Sequence, residues 1–299
     1  MVETTFSSQV KTELCAGTDE MNDCCRRAFN YGLLLFGRSF GTSGMGLVTE
    51  HRESAELYSA AVCAITGSRY PVNELRGGKF SVVVSRKADR KAAAEFYGLS
   101  ERAVSLRINR ANLADECCCA ALVRGAFLAC GTMTDPQKSY SLEFPLPYLH
   151  LTDDLLKILQ EMDFLPKLTR RRSCYVIYFR NSEAIEDLLS KMGAQKSAFD
   201  LMEIKVEKHV KNKINRRMNF ESANMDRCAT AAVNQLDAVR KLKASGRFDS
   251  LSDELKELAQ LRLDNPEDSL RELGEKLSVS LSRSGVYHRL EKIVSLAEE

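Results

Sequence analysis

The sequence predicts a chain in two parts. An α+β domain made of two similar halves, related by a pseudo-twofold axis, is joined by a long helix to a small all-α domain. Three observations predict this. A short apolar helix recurs at an offset of 94 residues, the elements after each copy follow the same order, and the C-terminal residues carry short capped helices in place of strand patterns. A length of 299 residues suits two domains of about 100–200 residues each.

Composition excludes several classes. Apolar residues make up 44% and charged residues 28%, as in folded globular chains. No apolar run approaches the roughly 18 residues of a membrane span. Met1 to Leu14 is polar and mixed in charge, unlike a secretory leader. A cytoplasmic protein is therefore expected. The net charge of +2 is too small to announce a nucleic-acid binder. Residues 205–217, however, hold six Lys or Arg and one Glu, so any basic face is local.

The repeat sets Cys24-Cys25 against Cys118-Cys119 and Gly37 against Gly131. Each segment reads as an apolar helix rich in small residues, with Gly expected to stop it. In the first half (about 21–110), Gly46 to Glu50 reads as a strand and Glu53 to Ile65 as a helix ending at Gly67. Pro71 to Leu75 pairs with Phe80 to Ser85 across Gly77-Gly78, and Arg86 to Tyr97 is a helix. In the second half (about 115–204), Tyr140 to Phe144 is a strand candidate, and Thr152 to Met162 a helix with Thr152 as its cap. Lys167 to Arg172 and Cys174 to Arg180 form a hairpin, and Ser182 to Met192 is the last helix. Residues 1–20 are an N-terminal arm and 205–246 a basic linker with a helix from about Glu221 to Ala244.

Residues 247–299 read as three helices. The first is Ser252 to Leu263, broken by Asn265-Pro266. Ser269-Leu-Arg-Glu272 is a capping box opening the second. Ser282 or Ser284 caps the third, in which Val286, Leu290 and Ile293 must face a core. This is a helix-turn-helix pattern, and its last helix offers Arg283, Ser284, Tyr287 and His288 near its start. Arg283 suits a bidentate contact to guanine. Ser269, Arg271, Ser282, Arg289 and Lys292 complete the candidate DNA surface, with Arg289 and Lys292 placed for phosphates. A small helical domain that binds protein is the competing reading. Lys208, Lys211, Lys213, Arg216 and Arg217, and the hairpin run Arg170, Arg171 and Arg172, are candidate phosphate contacts. A solvated helix face and a charged turn are the plain alternatives.

The paired apolar helices resemble those of LAGLIDADG homing endonucleases, whose acidic residue before the terminal Gly binds Mg²⁺. Here those positions are Phe36 and Cys130, with Leu35 and Ala129 one place earlier, so no carboxylate is available and no catalysis is expected. The fold expected is thus a pseudo-twofold LAGLIDADG-like domain plus helix-turn-helix. That combination resembles the WhiA family of bacterial DNA-binding regulators. Phe6-Ser-Ser-Gln-Val-Lys-Thr-Glu-Leu14 is similar to the family's opening. Val210 to Asn224 (VKNKINRRMNFESAN) is similar to its linker, and Ser282-Arg-Ser-Gly-Val-Tyr-His-Arg-Leu290 to its helix-turn-helix signature. The resemblance implies double-stranded DNA as partner, a nucleoid location, no cleavage and no cofactor. It also implies roles in sporulation-type differentiation, cell division and chromosome segregation. A WhiB-type regulator, or another transcription or division protein, is the partner it suggests. A scaffold whose repeat domain binds a protein or small ligand is the alternative.

The ten cysteines show no C-x-x-C spacing, and none of the four His lies near a cysteine cluster. Buried thiols acting as small apolar residues are expected, with no metal site. Cys117-Cys118-Cys119, at the start of an apolar helix, is expected to be buried.

Overall fold

The computed structural model describes residues 5–18, 20–100 and 105–298; residues 1–4 of the expected arm and 101–104 of the expected first half lie outside the described residues. The chain forms two compact units, Met1–His209 and Val210–Glu299.

In the first unit, α1 (Phe6–Ala16) precedes two halves of like order. The first is α2 (Asp23–Leu35), β1 (Gly46–Thr49), α3 (Arg52–Thr66), β2 (Asn73–Leu75), β3 (Lys79–Val83) and α4 (Lys87–Phe96). The second is α5 (Glu116–Cys130), β4 (Thr132–Met133), β5 (Leu142–Leu146), α6 (Leu149–Glu161), β6 (Lys167–Arg171), β7 (Cys174–Phe179) and α7 (Ser182–Met192). Each half carries an antiparallel sheet, ordered β1-β3-β2 and β4-β5-β7-β6. The bridge Ser39 to Gly46 in the first half takes the place of the short β4–β5 pairing in the second. Gly77 and Gly78 both have positive φ (82° and 71°) between β2 and β3, which a tight hairpin turn requires and a Cβ would resist.

α2 and α5 lie side by side in the core, where Phe29, Leu33, Leu34, Leu122, Ala126 and Phe127 are buried. Backbone touches backbone there. A Cβ on Gly32 would lie 2.2 Å from Leu122 O, and one on Gly125 would lie 2.2 Å from Phe29 O. These two contacts are mates under the pseudo-dyad, and Gly32 and Gly125 stand 93 residues apart. The register of 94 expected from sequence is therefore off by one at the crossing. Three consecutive cysteines made the alignment ambiguous, whereas close approach admits only one placement. The terminal glycines also act differently than expected. Neither Gly37 nor Gly131 has positive φ. Each is needed for space: a Cβ on Gly37 would lie 2.7 Å from Gly46 O, and one on Gly131 2.2 Å from the Phe127 ring.

Three further boundaries differ from the expectation. α6 starts a turn before Thr152, whose hydroxyl donates to Tyr148 O at 2.8 Å from inside the helix. Asp154 is then free to accept from Arg107 (2.9 and 2.6 Å) and from Ile108 N (3.0 Å), which fastens the inter-half connection to α6. The strand expected at Tyr140 to Phe144 is shifted to Leu142–Leu146 and contains Pro145. β4 pairs only with Leu142 and Glu143, so one side of β5 has no partner at Pro145, and the missing N–H breaks no ladder. The connecting helix expected from Glu221 is α8 (Gln195–Ala244), because no Gly or Pro interrupts residues 194–245.

Arg124 of α5 is buried, and among the described residues it has no carboxylate in ion-pair contact. It donates to Leu14 O at the C-terminal end of α1, where carbonyls carry partial negative charge. Burial lowers its pKa.

Gly32→Ala should push the α2–α5 pair apart and cost about 1–3 kcal/mol, read as a lower urea midpoint for the first unit. Arg124→Leu should leave the Leu14 carbonyl unpaired and cost about 1–3 kcal/mol, with α1 cleaved sooner in limited proteolysis.

Candidate nucleic-acid interface

In the second unit, α9 (Asp253–Asp264), α10 (Leu270–Lys276) and α11 (Arg283–Glu298) enclose Leu258, Leu273, Val286, Leu290 and Ile293, with Val239 and Leu242 of α8 packed against them. The capping box forms as the sequence indicates. Glu272 N donates to Ser269 Oγ at 3.4 Å, and Ser269 N donates to the Glu272 carboxylate at 2.8 Å. The turn between α10 and α11 is tight: Leu281 N donates to Gly274 O at 3.1 Å, and a Cβ on Gly274 would lie 2.3 Å from Leu281 O. Glu257 of α9 braces this turn, accepting from Ser278 N (2.7 Å) and Ser278 Oγ (2.8 Å). Those bonds hold its carboxyl below the ordinary value, and Ser269 does the same for Glu272. Buried Arg262 donates to Gln235 Oε1 (3.1 Å) and Asp268 O (2.6 Å), tying α9 to α8 and to the start of α10.

With the core side of α11 buried, Ser282, Arg283, Ser284, Tyr287, His288 and Lys292 are exposed. Ser282 Oγ accepts from Gly285 N at 3.3 Å and so caps the helix, leaving Arg283 in its first turn. Tyr287 and His288 meet edge to face at 5.6 Å. Arg289 is placed differently than expected. It is half-buried and pairs with Glu254 of α9 at 2.8 Å, so it fastens two helices before it can meet a phosphate. Arg271 pairs with Glu275 at 3.0 Å along α10, and Ser269 is committed to its cap.

The other candidate phosphate contacts divide similarly. Lys213 and Arg216 are exposed on α8, as is Lys211; Arg217 pairs with Glu221 at 2.8 Å. Lys208 belongs to the first unit, where its ammonium donates to Pro136 O at 2.8 Å and lies 4.9 Å from the Tyr140 ring. Arg171 makes a two-pronged pair with Glu143 (2.8 and 3.2 Å), which sequence spacing gave no sign of. Arg170 lies over the Tyr175 ring at 5.7 Å, and Arg172 sits in the turn with φ of 51°.

At the C-terminal ends of α2 and α5 the residues do not fit a divalent metal. Phe36 is buried, and the Cys130 thiol, donating to Ala126 O at 3.3 Å, is pushed up to about 12 by desolvation. The amine of Lys11 lies 5.8 Å from the Phe127 ring, and burial lowers its pKa among the neutral thiols of Cys130 and Cys15. Asp135 is spent on a turn, accepting from Gln137 N at 2.9 Å. No step through Mg²⁺ can be drawn from these groups.

The cysteines depart most from expectation. Cys24 and Cys25 of α2 and Cys117 and Cys118 of α5 converge, their sulfurs all within 4.8 Å of one another. Of the four, only Cys118 is buried; Cys117 is exposed. For Cys118, burial raises the pKa, but backbone hydrogen bonding at Asp115 and Ala114 and contacts from Cys24 and Cys117 bring it below the ordinary thiol value. A second group, Cys15, His51 and Glu53, is structural. Both ring nitrogens of His51 are engaged, Nδ1 at the start of α3 with Ser54 and Nε2 with Thr12 of α1.

The fold and the exposed helix define a class: a duplicated LAGLIDADG-like domain without the nuclease carboxylates, followed by a helix-turn-helix of the kind that binds DNA. Residues 119–211 match the family described as the WhiA LAGLIDADG-like domain, and residues 214–297 the WhiA C-terminal HTH domain. The chain is 32% identical over 306 residues to a "Probable cell division protein WhiA" of Lachnospira eligens, covering 98% of this chain and 96% of that one. It is 29% identical to the protein of the same name from Clostridium beijerinckii, covering 98% of each. A third, from Lachnoclostridium phytofermentans, is 40% identical over 184 residues, 62% of this chain and 59% of its own. The chain belongs to the WhiA family. The crystal structure of full-length DUF199/WhiA from Thermotoga maritima shares the fold, with a TM-score of 0.56, 22% identity and 98% coverage of each chain. Among the described residues no helix is long and apolar enough to cross a membrane.

The depressed carboxyls of Glu257 and Glu272 stabilise the three-helix unit above their ordinary value of 4.5, and that contribution is lost as pH falls through their folded values. Thermal melts of the full chain from about pH 7 downward should show the three-helix unit losing stability below about pH 4.5. Glu257→Gln should flatten that dependence.

Proposed function

We propose that this chain is a non-catalytic, sequence-specific DNA-binding regulator that reads base edges with the start of α11. The observation that carries the reading is the exposed outer side of that helix: Arg283 stands in the first turn beyond a Ser282 cap, and Ser284, Tyr287, His288 and Lys292 are exposed further along it. A recognition helix presents its N-terminal residues to the major groove in this way, and an arginine there suits the two acceptors of guanine. Lys213 and Arg216 on α8 supply further positive charge for phosphates in the same unit. Relatives bearing the name probable cell division protein support a part in division, with chromosome segregation and sporulation-type differentiation as the wider setting. The chain acts at the nucleoid in the cytoplasm, and a WhiB-type regulator or another transcription or division protein is its protein partner. The absence of catalysis is read from Phe36, Cys130 and Lys11, which leave the dyad end without a metal-binding carboxylate pair.

Selection of bound fragments from bacterial DNA tests the reading. The full chain should enrich a small set of sites, and Arg283→Ala should relax preference at one base position by about 1–3 kcal/mol. Unchanged site preference in that variant would overturn the assignment of α11. The double change Lys213→Ala with Arg216→Ala should weaken all DNA alike and reduce the salt slope by about two phosphate contacts.

A further inference from the structure

The chain carries a second built feature, at the end of the dyad helices remote from Phe36 and Cys130. Cys24 and Cys25 are the second and third residues of α2, and Cys117 and Cys118 hold the same places in α5. The pairs are therefore mates in the register of 93 that the Gly32 and Gly125 contacts define. The contact of Cys25 Sγ with Cys117 Sγ at 3.2 Å has a symmetry mate in the Cys24–Cys118 hydrogen bond.

We propose that Cys24, Cys25, Cys117 and Cys118 form a tetrathiolate site for one thiophilic divalent ion, Zn²⁺, which clamps the N-termini of α2 and α5 together.

Three observations lead to this. The first is geometric. Zn–S bonds of about 2.3 Å in a tetrahedron place sulfurs about 3.8 Å apart. The four sulfurs here include a 3.2 Å contact and all lie within 4.8 Å of one another, so small side-chain rotations complete the shell. An iron–sulfur cluster interposes its own sulfides and would need the thiols further apart. The second is electrostatic. Both pairs sit in the first turns of their helices, so four polarisable sulfurs crowd into one place that a cation can hold together. Asp23 and Glu116, immediately before the pairs, add negative potential for a cation. The third is exposure. Thiols retained only as small apolar fillers belong in the interior, yet Cys117 is exposed and Cys24 and Cys25 are half-buried. An open cleft lined by Met21, Cys25, Cys117 and Cys119 gives the ion a path from solvent. Binding converts four thiols to thiolates and releases their protons to water; no electron moves. The bound ion adds its binding free energy to the pairing of the two halves.

The test uses the full-length chain, purified under reducing conditions. Metal analysis should find one equivalent of zinc. Its removal with a strong chelator should lower the melting temperature, and added Zn²⁺ should restore it. Co²⁺ in place of zinc should give the intense visible bands of a tetrahedral tetrathiolate. Each of Cys24→Ser, Cys25→Ser, Cys117→Ser and Cys118→Ser should lose the metal, whereas Cys63→Ser and Cys228→Ser should keep it. Alkylation of the unaltered chain with and without Zn²⁺ settles the matter should a variant fail to fold, since the ion should protect four thiols. Equal alkylation in both arms overturns the proposal. So does a Cys25–Cys117 disulfide in the native chain, or iron with acid-labile sulfide in place of zinc. None of these readouts depends on DNA, so the outcome is separate from that of the proposed function.

Discussion

The contact on which the first unit depends is the meeting of α2 and α5 at Gly32 and Gly125, where main chain lies against main chain. Nothing larger than hydrogen fits at either residue. Such closeness fixes the two helices in one register and one direction, and each half then hangs from its own helix. Packing at that density leaves little freedom, so the ends of the helices are placed as firmly as their middle. One end buries Phe36 and brings Lys11 to Cys130; the other gathers four thiols.

Polar groups do the remaining fastening, and most of them were spent differently than their positions along the chain implied. Asp154 would be a plain first-turn acid if α6 began at Thr152; an earlier start makes it the acceptor for Arg107 and for the backbone of Ile108. Arg124 would be an anomaly in an apolar helix but for the end of α1 lying against it. Arg289, Arg171 and Lys208 illustrate the same point among cations offered for DNA. Each is bound to a protein acceptor, so charge that looks available in a list of basic residues is already partly neutralised. Surface pairs of this kind are weak, on the order of 0–1 kcal/mol. Phosphates can therefore compete for Arg171, while Arg289 is also held by its half-burial between helices.

The three-helix unit is built to keep one face open. Gly274 lets the turn close tightly, Glu257 braces it, and Val286, Leu290 and Ile293 take the inner side of α11. What is left outside at the start of α11 is polar and convergent. The dyad domain, by contrast, keeps a nuclease-like scaffold whose metal-binding carboxylates are replaced by an aromatic ring and a thiol. The thiol cluster sits in the part of it that joins the halves.

The sequence by itself determined the duplicated order of elements, the hairpins, the capping box and the inner face of α11. These follow from local rules: period, turn glycines and side-chain caps act over a few residues. It also excluded a carboxylate pair at the dyad, since Leu35, Phe36, Ala129 and Cys130 offer none in either register. Tertiary structure decided the rest. The register of 93 rests on where two backbones touch, and an alignment through three successive cysteines cannot weigh that contact. The length of α8 lay open because apolar periodicity fades along its exposed stretch, although no residue there stops a helix. The four-cysteine cluster is the clearest case. Its members are adjacent in pairs but 92 residues apart across Cys25 and Cys117, and no ligand spacing along the chain reports a site that only the crossing of two helices creates.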